Sequence, residues 1–321
     1  MEKIDIIKSI SERTGGDIYL GVVGAVRTGK STFIKKFIEN LVVPNIEDEY
    51  ERKRCLDEIP QTAQGKTIMT IEPKFVPSTA AKIKVEEFET NIKLVDCVGY
   101  VIPAAKGYED EMGEPRMVKT PWYDEDIPFV EAAEIGTEKV IRDHSTIGIV
   151  VTTDGSIGDI TRNNYIEAEN EVISELKEIG KPFIVVLNSA HPTLPETERL
   201  AEKLKEEHNV PVIPISAETM NEKDVYNILK EALYEFPVLN VKVDIPDWIG
   251  TLNPNHPIKK VYIDQIRECV VEVDKLRDID SINKHFKQCD QIEKAYMSNV
   301  DPAKGEGTIT LTAPNNLYDE V

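Results

Sequence analysis

The run Leu20-Gly21-Val22-Val23 leads into Gly24-Ala25-Val26-Arg27-Thr28-Gly29-Lys30-Ser31, and this octapeptide limits what the chain can fold into more than any other feature. It fits the pattern Gly, four residues, Gly, Lys, then Ser or Thr. It also sits where that pattern requires. Before it comes Asp17–Val23, an apolar stretch with β-branched residues that predicts a buried strand. After it comes Ser31–Leu41, which sets Phe33, Ile34, Phe37, Ile38 and Leu41 on one helical face. In such a strand–loop–helix unit the glycines allow backbone angles closed to other residues. The N–H groups of Gly24, Ala25, Val26, Arg27, Thr28 and Gly29 can then converge on phosphate oxygens. The helix opening at Lys30 adds its positive dipole end. Lys30 is expected to bridge the β- and γ-phosphates of a nucleoside triphosphate, Ser31 to ligate Mg²⁺, and Thr32 to reach the α-phosphate.

The rest of the chain alternates between apolar strands and amphipathic helices. A short helix is expected over Glu2–Arg13. Thr70–Val76 and Lys82–Phe88 read as two strands of a hairpin, and Ile92–Val98 as a further strand. Gly99 to about Glu134 reads as a long acidic loop or insertion. Then follow a strand at Ile147–Thr152, a helix at Tyr165–Ile179, a strand at Phe183–Leu187, a helix at Glu196–Glu207, a strand at Val212–Ser216 and a helix at Asn221–Phe236. Asn221 and Asp224 lie at capping spacing. This alternation implies an α/β fold with a doubly wound, mostly parallel sheet over residues 1–238, with an insertion at about 100–140. With the motifs and the family resemblance given below, the expectation is a GTPase-like, TRAFAC-type P-loop domain. Residues 239–321 read as the start of a smaller α+β middle domain, with a helix over Lys259–Ile279 and a β-like run near the last residues.

A triphosphate site needs a carboxylate for the magnesium shell. Ile92–Val98 carries Asp96, and Asp96-Cys97-Val98-Gly99 has the Asp-x-x-Gly form of a switch. Asp96 would act through a metal-bound water, and the Gly99 N–H would sense the γ-phosphate. Within Pro60–Pro73, Thr70 is the first candidate for a threonine that closes on Mg²⁺ and the γ-phosphate, and Thr67 the second. Tyr100 stands where Ras-like enzymes carry the glutamine that orients water. The nucleophile must therefore be positioned otherwise, or turnover is slow. Arg27 lies close to where γ-phosphate charge develops.

The base is read by other loops. Guanine-specific proteins of this layout use Asn-Lys-x-Asp, whose aspartate accepts two hydrogen bonds from guanine. Here the corresponding residues are Asn188, Ser189, Ala190 and His191. The asparagine is kept, but the lysine and the aspartate are absent. A lost bidentate partner of this kind is worth several kcal/mol, roughly. Ser216 and Ala217 match the Ser-Ala loop that lines the base. ATP is therefore expected over GTP.

Charge narrows the partners. The chain carries 58 acidic and 38 basic residues, a formal net charge of −20, so nucleic acid is excluded as a partner of the whole protein. Its four cysteines form no Cys-x-x-Cys pair and read as thiols in a reducing cytoplasm. No signal peptide and no membrane span is expected.

Beyond these motifs, the chain resembles the stage IV sporulation protein A family of spore-coat morphogenetic ATPases from endospore-forming Firmicutes. The likeness is carried by GVVGAVRTGKSTFIKKFIENLVVPNI, PQTAQGKTIMTIEPKFVP, KLVDCVGY, TPWYDEDIPFVEAAEIGTEKVIRDHSTIGIVVTTDGS and the Asn188-Ser189 loop. The resemblance implies a nucleotide domain descended from translation-factor-like GTPases that hydrolyses ATP with Mg²⁺. It further implies that hydrolysis drives a conformational change and self-polymerisation, and that the homopolymer forms the basement layer of the spore coat on the forespore outer membrane, facing the mother-cell cytoplasm. The resemblance assigns Lys30 as the essential lysine, Asp96 as the magnesium-associated carboxylate and Thr70 as a sensor threonine, with Ile71 where a second threonine is expected. It also implies a C-terminal region beyond this chain that reaches coat proteins and a small membrane-anchoring peptide. A truncated chain is expected. The two competing expectations are a GTPase switch acting on a partner and a nucleotide-binding scaffold without turnover.

Overall fold

The computed structural model describes residues 1–60, 73–97, 99–105, 108, 113–120, 123–271, 273–281 and 289–319. It divides into two compact units, Met1–Ala232 and Leu233–Val321.

The first unit is built on a six-stranded sheet ordered β2-β3-β1-β6-β7-β8. Its strands are β1 (Asp17–Val23), β2 (Lys74–Val85), β3 (Phe88–Asp96), β6 (Ile147–Thr153), β7 (Phe183–Asn188) and β8 (Val212–Ile215). The pairs β1–β3, β1–β6, β6–β7 and β7–β8 are parallel, and only β2 runs antiparallel, against β3. Every residue of β6 and β7 is buried. This is why Ile-Gly-Ile-Val-Val and Phe-Ile-Val-Val-Leu are apolar without alternation: a parallel strand covered on both faces has no solvent side. The mixed α/β architecture with a mostly parallel sheet matches the expected fold class. Chain order reverses around β1, which has β3 on one side and β6 on the other. The loop after β1 therefore opens at the switch point of the sheet, where open α/β folds form their ligand crevice.

Helix α2 (Lys30–Phe37) begins directly after the glycine-rich loop, with Gly29 as its left-handed N-cap at φ 90°. Its buried face carries Phe33, Ile34 and Phe37. The helix then widens into a π turn over Ile38–Val42, so the apolar face expected to reach Leu41 continues in a different helical geometry.

Three expectations need correction. Thr70–Val76 and Lys82–Phe88 are not the two arms of a hairpin. The described part of that region is one strand, β2, and its hairpin partner is β3. Pro77 lies inside β2, which is an edge strand, where a missing N–H is tolerated, and the ladder takes a register shift between Val76 and Ala81. The segment expected as a loop up to Glu134 instead ends in the 16-residue helix α4 (Phe129–His144), which buries Phe129, Ala132, Ala133, Val140 and Ile141. Ahead of it lies a two-stranded ribbon, β4 (Met117–Val118) with β5 (Ile127–Pro128). In the second unit, the helix expected over Lys259–Ile279 runs over Pro257–Val271, and Leu276–Ser281 forms a separate 3₁₀ turn. The helices Lys3–Arg13, α5 (Ile166–Ile179), α6 (Pro195–His208) and α7 (Glu222–Tyr234) lie where the sequence puts them, and Glu49–Asp57 forms a further short helix. The Asn221 side chain accepts from the N–H groups of Lys223 and Asp224, and Asp224 accepts in return from Asn221 N–H. This is the capping box its spacing implied.

The second unit holds a three-stranded sheet ordered β10-β11-β9, with β9 (Asn240–Asp244), β10 (Lys294–Asp301) and β11 (Glu306–Thr312). Its core gathers Ile249, Ile258, Tyr262, Cys269, Ile292, Ile309 and Leu311. Near its start the buried Glu235 carboxylate pairs with Lys275 Nζ at 2.6 Å and Arg277 Nε at 3.1 Å.

Candidate functional site

The loop after β1 folds onto itself. Lys30 is buried, and its Nζ donates to the carbonyls of Gly24 (3.1 Å) and Ala25 (2.6 Å). Thr28 Oγ1 donates to the same Ala25 carbonyl at 2.9 Å. Thus the ammonium closes a ring of main-chain oxygens at the helix N-terminus. Burial lowers the Lys30 amine from its ordinary value, while Cys97 and Asp96 nearby pull it back up.

The end of β3 sits against this loop. Ser31 Oγ donates to Asp96 Oδ2 at 2.8 Å. Burial raises the Asp96 carboxyl, and the Ser31 bond and the Lys30 charge oppose that rise. Next to it, burial pushes the Cys97 thiol to about 11, and its Sγ donates to Val22 O, so this cysteine is an inert packing group. Gly99 has φ 88°, and a Cβ there would lie 2.1 Å from Gly24 O and 2.4 Å from Lys30 Nζ. Only glycine lets the chain pass this close to the phosphate loop.

Tyr100 then takes a place no motif foretold. Its main chain pairs with the loop: Val26 N donates to Tyr100 O at 2.8 Å, and Tyr100 N donates to Gly24 O at 3.2 Å. Its ring is buried and its hydroxyl donates to the Glu175 carboxylate of α5. Burial raises the phenol pKa, and the Glu175 bond raises it further. The residue at the glutamine position therefore points into the core and clamps the loop through its backbone.

The base-side residues tie the remaining loops together. Asn188, 4% exposed, donates from Nδ2 to Thr28 O and accepts from Ala217 N on Oδ1, both at 2.9 Å. This one amide links the phosphate loop, the end of β7 and the turn after β8. Ser216 caps its own turn by accepting from Thr219 N. Ser189 is fully buried, and its Oγ donates to Asp154 Oδ2 at 2.6 Å. Arg27 is half-buried at φ 68°, and its Nη2 has no hydrogen-bond partner among the described residues. Thr32 sits half-buried on the first turn of α2. Thr67 and Thr70 lie outside the described residues.

The structure thus gathers Gly24–Ser31, Asp96, Gly99, Asn188 and Ala217 around one loop. Sequence reasoning passed over Asp154 and the Tyr100–Glu175 pair. Asp154 carries a legible signal: an Asp-Gly-Ser directly after a buried strand is turn chemistry at the rim where such sheets bind ligands. The Glu175 contact carries none, since nothing local relates positions 75 residues apart.

Residues 1–237 match the family described as stage IV sporulation protein A, ATPase domain, and residues 238–321 match stage IV sporulation protein A, middle domain. The whole chain is 58% identical to stage IV sporulation protein A of Bacillus anthracis and 57% identical to that of Bacillus subtilis (strain 168). Over 99% of the chain it is 46% identical to the protein of that name from Clostridioides difficile (strain 630). The chain spans 65% of the length of each of these curated relatives.

Proposed function

Because this chain belongs to the stage IV sporulation protein A family, we propose that it is an ATPase whose turnover drives a conformational change and self-polymerisation. The polymer is proposed to form the basement layer of the spore coat on the forespore surface, on the mother-cell side. Its first partner is a second copy of itself. Coat proteins and a small membrane-anchoring peptide are the further partners proposed for the longer family architecture. No helix among the described residues is long and apolar enough to cross a membrane.

The observation that carries this reading is the pairing of Ser31 Oγ with Asp96 Oδ2 beside a lysine that holds loop carbonyls. An alcohol and a carboxylate are hard oxygen donors, and they suit Mg²⁺. No group of three or more His, Cys, Asp or Glu among the described residues could hold a metal alone. Magnesium commonly takes one or two protein oxygens and completes its shell with phosphates and water, so this donor set fits a cation that arrives with nucleotide. Ser31 would hold it directly and Asp96 through water, with Thr70 as the proposed γ-phosphate sensor. When bound, Mg²⁺ neutralises charge developing on the β- and γ-oxygens.

The chain's own residues supply the rest. The N–H groups of residues 24–29 and the N-terminus of α2 hold the phosphates. Lys30 exchanges its carbonyl partners for phosphate oxygens, and a buried ammonium gains more from an anion than from neutral oxygens. The Gly99 N–H reports the γ-phosphate to Tyr100, whose backbone is bonded to the loop. Asn188, Ser189, Ser216 and Ala217 line the base end.

A nucleotide-binding scaffold without turnover is the second reading. Tyr100 favours it, because a ring buried against Glu175 positions no water. Phosphate release by the wild type and by Lys30→Ala separates the two. The ATPase reading expects turnover that the variant loses. Equal release by both proteins, at concentrations where the wild type assembles, refutes it.

A further inference from the structure

Three loops meet at the base end of the site: the phosphate loop, the turn after β6 at residues 153–157, and the turn after β7 at residues 188–191. Asn188 bonds the third to the first. Ile157 extends the second over the start of α2, where its Cδ1 lies 3.7 Å from a Cβ built on Gly29. Asp154 joins the second to the third.

Asp154 is engaged on both carboxylate oxygens. Its Oδ1 accepts from Ser156 N at 2.9 Å and from Ser156 Oγ at 2.6 Å. Its Oδ2 accepts from Ser189 Oγ at 2.6 Å, and Thr197 Oγ1, whose single proton goes to His191 O at 3.1 Å, lies 3.4 Å away. An ionised carboxylate offers about four lone-pair sites, and three donors, Ser156 N, Ser156 Oγ and Ser189 Oγ, take three of them. Burial pushes the carboxyl up, but the bonds from Ser156 and Ser189 outweigh it and hold it below its ordinary value. It is thus a half-buried anion whose strongest bonds are made within the protein. The hydroxyls that bond it also close the neighbouring turn. Ser156 Oγ accepts from Ala190 N at 2.8 Å, and Ser189 Oγ accepts from His191 N at 2.9 Å.

Guanine is recognised by a carboxylate that accepts from two adjacent ring-edge N–H groups. At the position where that carboxylate would stand, this chain has His191, which is exposed. We propose that the Asp154–Ser156–Ser189 clasp is the specificity element of the base site: it consumes most of the acceptor capacity of a carboxylate on the same rim, so that guanine finds no anionic partner and adenine is favoured. The inference rests on the adenine-nucleotide reading of the site. It makes Ser189, at the lysine position of the guanine readers, a lock on Asp154 rather than a cover for the base.

The geometry supplies a gain-of-function test. Ser156→Ala with Ser189→Ala frees one lone pair on each Asp154 oxygen, the pattern a guanine edge requires. The amides of Ala190 and His191 are left to water, since both residues are exposed. Calorimetry with Mg²⁺ measures ATP, GTP and inorganic tripolyphosphate against three proteins: the wild type, the double variant, and the double variant with Asp154→Asn added. Tripolyphosphate has no base, so unchanged affinity for it certifies an intact fold and phosphate loop. The expected result is a GTP-to-ATP affinity ratio about tenfold higher in the double variant than in the wild type, with the gain lost when Asp154→Asn is added. An unchanged ratio in the double variant, or a gain that survives Asp154→Asn, overturns the inference while leaving the ATPase reading in place. A wild type that binds GTP as tightly as ATP overturns the adenine reading, and the inference with it.

Discussion

The Asn188 amide offers the sharpest quantitative test of the site. It is 4% exposed and makes two hydrogen bonds, one given to Thr28 O and one received from Ala217 N, each 2.9 Å long. Asn188→Ala removes both partners at once. Each orphaned buried group costs about 1–3 kcal/mol, so the variant should lose about 2–6 kcal/mol. Urea unfolding measures the loss as a shift in midpoint at constant m-value. Asn188→Asp separates the two bonds. The introduced carboxyl still accepts from Ala217 N but faces the Thr28 carbonyl with an oxygen in place of a donor. When protonated it donates to Thr28 O and restores the pair. Its folded-state pKa is thereby raised, so the restored stability is present at low pH and is lost as pH rises through that raised value. The Asn188→Ala deficit has no such titration and should stay constant. Hydrogen exchange adds a local check: Ala217 N–H should lose protection in Asn188→Ala and keep it in Asn188→Asp. A cost under about 1 kcal/mol for Asn188→Ala, or a pH-independent Asn188→Asp, would refute the view that this one amide ties three loops together.

Other perturbations test other joints. Gly99→Ala sets a Cβ 2.1 Å from Gly24 O at a φ of 88°, so calorimetry should find triphosphate binding lost, with about 1–3 kcal/mol of stability; normal binding would show that the chain does not pass so close. Glu235→Ala removes the buried carboxylate that Lys275 and Arg277 share, and should lower the unfolding free energy by about 1–3 kcal/mol; a loss within experimental error would contradict the buried pair. Glu134 on α4 has its carboxyl raised by burial first and then by Glu171, Glu175 and Glu131. A raised carboxyl favours the folded state below its ordinary value of 4.5 and loses that contribution as pH rises through the folded value. Glu134→Gln should therefore melt higher than the wild type at neutral pH and match it below pH 4.5. Identical melting at both pH values would exclude burial strain at this carboxyl.

How far the fold could be read from the chain depends on how local each determinant is. The β1–α2 unit was fully legible because its signals are contiguous: an apolar run, then glycines, then a helical stripe. The parallel strands β6 and β7 were legible for the same reason, since a strand covered on both faces has a continuous apolar sequence. β2 carries Pro77 and the polar Ser78-Thr79 in its middle, residues commoner in turns than in strands. Only the sheet context, an edge with its N–H groups unneeded, shows that they do not interrupt the strand. Helix α4 hid in a stretch read by its acidic, Pro- and Gly-rich start. Its own apolar positions, Phe129, Ala132, Ala133, Val140 and Ile141, are spaced as a helix, but Gly136 and Thr137 dilute the stripe with residues of low helical propensity.

The site divides along the same line. Gly24–Ser31 and Asp96 are nominated by short motifs because phosphate chemistry demands fixed residue types at fixed spacing. What holds those residues to one another is not so constrained. Asn188 was read as a base contact because one class of proteins uses it beside a lysine and an aspartate, yet here both polar atoms of its amide are spent on Thr28 and Ala217. Ser189 was read by what it lacks, a lysine's reach, and its contact with a carboxylate 35 residues earlier comes from the three-dimensional arrangement alone. The guanine-reading aspartate and the lysine beside it are both absent here, as His191 and Ser189, and the second of these positions carries the contact to Asp154. A serine side chain is shorter than a lysine's, and the buried Ser189 hydroxyl in that position bonds the Asp154 carboxylate.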